Sequence, residues 1–323
     1  MAENVLRRIA LVGFGEAGSI LGAELAAAGR DVVSYDILLE APAVPSGDSL
    51  ADSPLGIPSQ AARSRSVTRA AMLERAGQAG VATADSLGAA VEGADLVISA
   101  VTASSSADVA RNAGQLLRAG QVFLDINSCS PDTKRSNSQA VESSGADYVE
   151  AAVMAPVPPQ RLKVPMLLGG RRAQEWLPAL QALGLNVSFI ATEIGVASAV
   201  KMCRSVVIKG LEALAVESLL AARRFGAEQE VLASLQGTFP HMGWQEKLPD
   251  YLISRVAEHG RRRAAEMREV AHTLETVGVE PIMARATAMR QDALIDAMVA
   301  HGVAYPHGQP FSWRWLADAL ASN

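Results

Sequence analysis

The chain has 323 residues, enough for two domains, and its abundant alanine and 4% aromatic content suggest a helix-rich soluble protein. A formal net charge of −5 argues against general nucleic-acid or membrane-surface binding, and no apolar run is long enough to span a bilayer. Cys129 and Cys203 match neither a metal spacing nor a disulfide framework, and the N-terminus lacks a signal peptide's layout, so a cytoplasmic protein with reduced thiols is expected.

The chain opens on its most informative stretch. Ile9 to Val12 is a short apolar run that ends in Gly13-Phe14-Gly15-Glu16-Ala17-Gly18. Helix-forming residues from Ser19 to Ala28 follow, closed by Gly29, then a second strand from Asp31 to Tyr35 with Asp36 at its end. In a strand–turn–helix–strand unit each glycine has a task. Gly13 permits the tight turn, Gly15 lets the backbone approach a pyrophosphate, and Gly18 lets the helix pack against the strand. The helix N-terminus offers unpaired N–H groups and a partial positive charge to phosphates. Gly13, Phe14, Gly15, Glu16, Ala17 and Gly18 are therefore the candidate cofactor-binding turn. A glycine turn without a ligand is the competing reading, and the complete unit weighs against it.

Asp36 is placed to accept hydrogen bonds from the adenosine ribose, and its charge repels a 2′-phosphate, so NAD is favoured over NADP. Arg63, Arg65 and Arg69 could fold back towards the adenosine end, although a solvated basic helix face accounts for them as well. The stretch 38–66, rich in Pro, Ser, Gly and Asp, reads as an irregular and mobile insertion. A helix is expected over 68–79.

From there strands and helices alternate. Strands are expected at 80–83, 95–101, 122–126, 146–153, 164–170 and 186–190, with helices at 86–91, 108–118, 131–144 and 173–183. The pattern implies an α/β fold with a parallel, doubly wound sheet. Ligands of such sheets lie beyond the carboxyl ends of the strands, so Val101 and Thr102 should pass near the cofactor. The same polar stretch could simply cap the next helix. Ser128 follows another strand end and has the same two readings, with Pro131 suited to begin the following helix. After about Ile194 only helices are expected, the first running from Gly195 to about Phe225. The expected domains are 1–192, binding the dinucleotide, and 193–323, all-helical.

The long helix is apolar around most of its circumference and is expected to be largely buried. Lys201, Arg204 and Ser205 share one face of it at i, i+3 and i+4, while Lys209 lies to one side where Glu212 could pair with it. An apolar setting and a cationic neighbour would both lower the Lys201 pKa. A lysine tuned towards neutrality can exchange a proton with a substrate hydroxyl during hydride transfer. The plainer reading is a snorkelling surface lysine.

The whole layout resembles the β-hydroxyacid dehydrogenase superfamily, which includes 3-hydroxyisobutyrate and 6-phosphogluconate dehydrogenases. The resemblance rests on Gly13–Gly18, on the D-x-x-S-x-x-P string from Asp125 to Pro131, and on the helix from Gly195 to Ser205. It implies a Rossmann-type domain, a long interdomain helix and an all-α C-terminal domain that usually dimerises. The stretch from His259 to Pro281 looks like the branch whose C-terminal domain has no known function. In the family a G-x-G-x-x-x-K-x-x-N-N helix supplies the catalytic lysine, and Lys201 falls at that position. The resemblance also places Ser128 near substrate and nicotinamide.

This chain departs from the family pattern at Ala197, at Arg204-Ser205 in place of two asparagines, and at Met154-Ala155-Pro156 in place of a serine-glycine-glycine loop. Those changes argue against 3-hydroxyisobutyrate or 6-phosphogluconate as the substrate. They suggest a more apolar pocket wall at Met154 and a guanidinium at Arg204 able to grip a carboxylate or phosphate. His241, in the aromatic loop 239–244, could close over the pocket or be core or interface. Arg261-Arg262-Arg263 reads as a solvated or interface charge run, with an anion clamp as the alternative. The remaining histidines show no ligand spacing, so no metal is expected. These features point to an NAD(P)-dependent oxidoreductase acting on a small, carboxylate-bearing β-hydroxy acid or related alcohol, working as a homodimer with Lys201 as general acid/base. An imine reductase-like enzyme and a non-catalytic dinucleotide-binding regulator are the alternatives.

Overall fold

A computed structural model describes residues 6–39 and 60–321, with the backbone alone over 60–68. Most of the 38–66 stretch, with the side chains of Arg63 and Arg65, falls outside the described residues. The chain divides into two compact units, residues 1–199 and 200–323.

In the first unit, β1 (Arg8–Val12), α1 (Glu16–Ala27), β2 (Asp31–Tyr35), α2 (Gln60–Gln78) and β3 (Ala82–Thr83) are followed by α3 (Leu87–Val91), β4 (Leu96–Ser99) and α4 (Ala103–Gly114). Then come β5 (Val122–Asp125), α5 (Pro131–Glu142), β6 (Asp147–Val153), α6 (Val157–Gln160), β7 (Met166–Gly169), α7 (Ala173–Ala182) and β8 (Val187–Ala191). The strands form one sheet in the order β3-β2-β1-β4-β5-β6-β7-β8. Alternate residues of each central strand feed opposite cores, as the two-residue period of a strand requires. Ile9, Leu11, Ile98 and Leu124 join Leu21 and Leu25 of α1 on one face. Ala10, Val12, Val97 and Phe123 join Ala110 and Ala113 of α4 on the other. Both faces are covered, which is why β4 and β5 read as continuous apolar runs.

Three expectations need correction. The sheet is not wholly parallel: β7 runs antiparallel to β6, and β8 follows β7 in parallel. Only 154–165 separate β6 from β7, and they hold just the four-residue α6 and a 3-10 turn at Arg161–Lys163, too little helix for a parallel crossover. Helix α2 begins at Gln60 rather than at 68, and α4 begins at Ala103 rather than at 108. For α4 the polar stretch after β4 is itself the start of the helix, with Thr102 at the N-cap position.

All of α8 (Val196–Arg224) beyond its first turn, together with α9 (Glu228–Thr238), α10 (Leu248–Thr276), α11 (Ile282–Ala300) and α12 (Trp313–Ala319), makes up the second unit. Its described residues contain no strand. One core gathers Val216 and Leu219 of α8 with Ile253 and Val256 of α10 and Trp313 and Leu316 of α12. A smaller one joins Met202 to Met267, Val270 and Ala288. The expectation that α8 is largely buried fails on one side, where Val207 and Leu214 are 69% and 56% exposed. No helix among the described residues is long and apolar enough to cross a membrane.

Candidate functional site

At the carboxyl end of β1 the glycine turn takes a conformation that its residues make possible. Gly13 has φ +94°, a region that side chains disfavour, and an added Cβ would sit 2.5 Å from the Ala100 carbonyl oxygen. A Cβ on Gly18 would lie 2.1 Å from the Gly13 carbonyl oxygen, so α1 can approach β1 only without one. Gly15 differs: a Cβ there would meet nothing within 4 Å, so its open face is available to a ligand. It is also the N-cap of α1 and supplies no side-chain cap, which leaves first-turn N–H groups free for phosphate oxygens. These residues fit a dinucleotide pyrophosphate. The Phe14 side chain is wholly buried in the core, so only its backbone faces the turn.

Asp36 is bound to this turn. One carboxylate oxygen accepts the Phe14 N–H at 2.8 Å and the other accepts the Leu38 N–H at 3.1 Å. A carboxylate has further acceptor capacity beyond these two bonds. Arg69 donates to the Leu39 carbonyl oxygen and pairs with Asp85, while Arg75, a residue the sequence does not single out, approaches the Phe14 carbonyl oxygen.

Val101, Ser128 and Met154 follow β4, β5 and β6, three neighbouring strands, at one edge of the sheet. An added Cβ on Gly13 would touch Val101 at 2.8 Å, so the glycine turn and this loop are adjacent. Ser128 is half-buried, and the cap of α5 is Ser130, whose hydroxyl accepts the Thr133 N–H. The capping explanation of Ser128 is thereby removed. Met154 is half-buried, held through its backbone N–H to the Pro165 carbonyl oxygen at 2.8 Å.

Beneath this edge lies a buried polar network that sequence reasoning missed. Asp125, wholly buried, accepts from Lys134 Nζ at 2.7 Å and from the Asn127 N–H at 3.0 Å on one oxygen. Its other oxygen accepts from Asn137 at 3.0 Å and from the Tyr148 hydroxyl at 2.7 Å. Burial raises the Asp125 pKa, but the Lys134 ammonium and these donors outweigh it and hold the carboxyl below its usual range. Burial and the adjacent Asp125 charge push the Tyr148 phenol well above its usual value, so it stays a donor.

In the second unit, Lys201 is half-buried on α8, Ser205 is buried one turn on, and Arg204 is exposed. The expected Lys209–Glu212 pair does not form. Lys209 pairs with Glu266 of α10, and Glu212 is gripped by Arg263. Burial raises the Glu266 pKa, yet Lys209, Arg262 and Lys201 together bring it down to about 2. Lys201 therefore has an anion in electrostatic reach as well as the cationic neighbour visible in the sequence. Two residues of the arginine run are exposed, Arg262 meeting Glu266 and Arg261 meeting Asp292 and Asp296 of α11, whereas Arg263 is buried on Glu212. His241 is exposed on the loop between α9 and α10. No group of three His, Cys, Asp or Glu side chains that could hold a metal occurs among the described residues.

Residues 61–190 match the NAD binding domain of 6-phosphogluconate dehydrogenase, and residues 222–294 match a domain of unknown function, DUF1932. A conserved hypothetical protein from Sinorhizobium meliloti is 35% identical, with 98% of this chain and 96% of that one covered and a TM-score of 0.69. A second conserved protein of unknown function, described as structurally similar to 3-hydroxyacid dehydrogenases, is 32% identical over 90% of this chain and 98% of its own, with a TM-score of 0.64. The 3-hydroxyisobutyrate dehydrogenase of Mycobacterium tuberculosis shares the fold at 16% identity, covering 98% and 100% of the two chains with a TM-score of 0.67. The chain belongs to the β-hydroxyacid dehydrogenase superfamily, in the branch that carries the DUF1932 domain. It has that superfamily's NAD(P)-binding domain and its fold.

Proposed function

We propose that the protein is an NAD-dependent dehydrogenase of a β-hydroxy acid or related alcohol, acting as a homodimer in the cytoplasm, with Lys201 as the general acid/base. The observation that carries this reading is Lys201 itself, half-buried on α8, in the place where the sequence pattern resembles the family's lysine helix. A nicotinamide dinucleotide held at the glycine turn supplies a hydride acceptor. The Asp36 carboxylate repels a 2′-phosphate, which favours NAD over NADP. Ser128, set after β5 and not used as a helix cap, is available to hydrogen-bond the substrate hydroxyl. Arg204, exposed on α8, suits a carboxylate, and Met154 supplies an apolar wall. Lys201 accepts the hydroxyl proton as the carbon is oxidised and returns it in the reverse direction.

The Lys201→Ala variant is expected to lower turnover at least about a hundredfold while leaving NADH affinity within about twofold. Unchanged turnover removes Lys201 from the mechanism. NADH binding by the wild type without turnover on any β-hydroxy acid would favour the imine reductase-like or regulatory role instead.

A further inference from the structure

The side chain of Asn127 lies under the loops that follow β4 and β5, 4% exposed, with every polar group engaged. Its Oδ1 accepts the Val101 N–H at 2.7 Å. Its Nδ2 donates to Ser99 Oγ at 2.9 Å and to Ser106 Oγ at 3.1 Å. Its backbone N–H donates to Asp125, and its carbonyl oxygen accepts the Cys129 N–H at 3.1 Å. Ser106 is held in turn by Asn137, which also donates to Asp125. One side chain thus ties the backbone at Val101 to the loop that presents Ser128, and anchors both to the buried Asp125–Lys134 pair.

The sheet order assigns these loops to one half of a dinucleotide. The pyrophosphate belongs at the glycine turn after β1. Asp36, after β2, marks the adenosine side, so the other half of the molecule must run towards β4 and β5. Val101 and Ser128 lie on that side, and neither touches Asp36 through any hydrogen bond of the described residues. We propose that Asn127 is a positioning residue for the nicotinamide half of the cofactor: it fixes the Val101 and Ser128 loops in their receptive geometry and leaves the adenosine half untouched. This rests on the dinucleotide reading above. An amide suits the position because it offers an acceptor for the Val101 N–H and two donors for two serine hydroxyls at once. Removing it strands a backbone N–H that is otherwise satisfied and frees the loop to shift.

The test compares two ligands in equilibrium titrations of the full chain: NADH, and ADP-ribose, which lacks the nicotinamide. In Asn127→Ala the NADH dissociation constant is expected to rise at least about tenfold, with that of ADP-ribose within about twofold. A general loss of structure would weaken both together, so the ratio reports positioning. Where Asn127→Ala fails to fold, Ser99→Ala and Ser106→Ala keep the amide and remove its anchors, and the same ratio is expected to move at least about threefold. An unchanged ratio in folded Asn127→Ala, or in both serine variants, overturns the inference while leaving the dinucleotide site intact. Wild-type protein that binds neither ligand overturns the dinucleotide reading and the inference with it.

Discussion

Asp125 and Lys134 form an ion pair with both side chains essentially sealed from solvent, at 0% and 1% exposure. Such a pair gains little over apolar packing, but removing one partner leaves a naked buried charge. Lys134→Ala is expected to destabilise the protein by about 3–5 kcal/mol, read as a lower urea midpoint. The Asp125 pKa is lowered in the folded state, so its stabilisation is present above the unfolded carboxyl value of about 4 and is lost as pH falls through the folded value. Asp125→Asn should therefore flatten the loss of stability below pH of about 4, and an acid limb as steep as the wild type's would contradict this. The positions of Asp125, Ser128 and Lys201 in spaced motifs were legible in the sequence, their roles being the proposal above. Asn127 and Lys134 were not. An asparagine after a strand reads as ordinary loop, and a lysine on a polar helix reads as surface. For Lys209 the sequence offers Glu212, three residues along the same helix, whereas its partner Glu266 arrives from α10.

The elements themselves were largely readable, since strand cores and helix runs show their own periodicities. The long α8 begins and ends within a residue of its expected limits. The antiparallel β7 was hidden because the apolar run Met166–Gly169 looks the same in either direction. Close packing of two helices depends on a residue no motif marks: a Cβ on Gly114 of α4 would lie 2.1 Å from the Ala140 carbonyl oxygen of α5. Gly114→Ala should cost about 1–3 kcal/mol through overpacking, despite alanine's better helix propensity. A urea midpoint equal to or above that of the wild type would mean the two helices separate at no cost.

On the scale of the whole molecule, chain length and the change from alternating elements to helices alone indicate two domains, and no periodicity in the sequence separates an apolar face that packs within the chain from one that packs outside it. On α8, Val207 and Leu214 are 69% and 56% exposed, one heptad apart and so on one face; on α11, Met289 and Val299 are 71% and 72% exposed. Apolar exposure of this kind marks interaction surfaces, and the homodimer proposed above would cover it. Light scattering should give twice the chain mass, and the double variant Val207→Asp, Leu214→Asp should shift the protein towards the monomer. A wild-type monomer at micromolar concentration would remove the dimer from the account.

The proposed function depends on the turn from Gly13 to Gly18, with Asp36, holding a nicotinamide dinucleotide. Titrating the purified protein with NADH and NADPH, followed by nicotinamide fluorescence, tests it most directly. Saturable binding of NADH, tighter than that of NADPH, is the predicted result. Binding of neither, by a protein whose fold is intact, would contradict it.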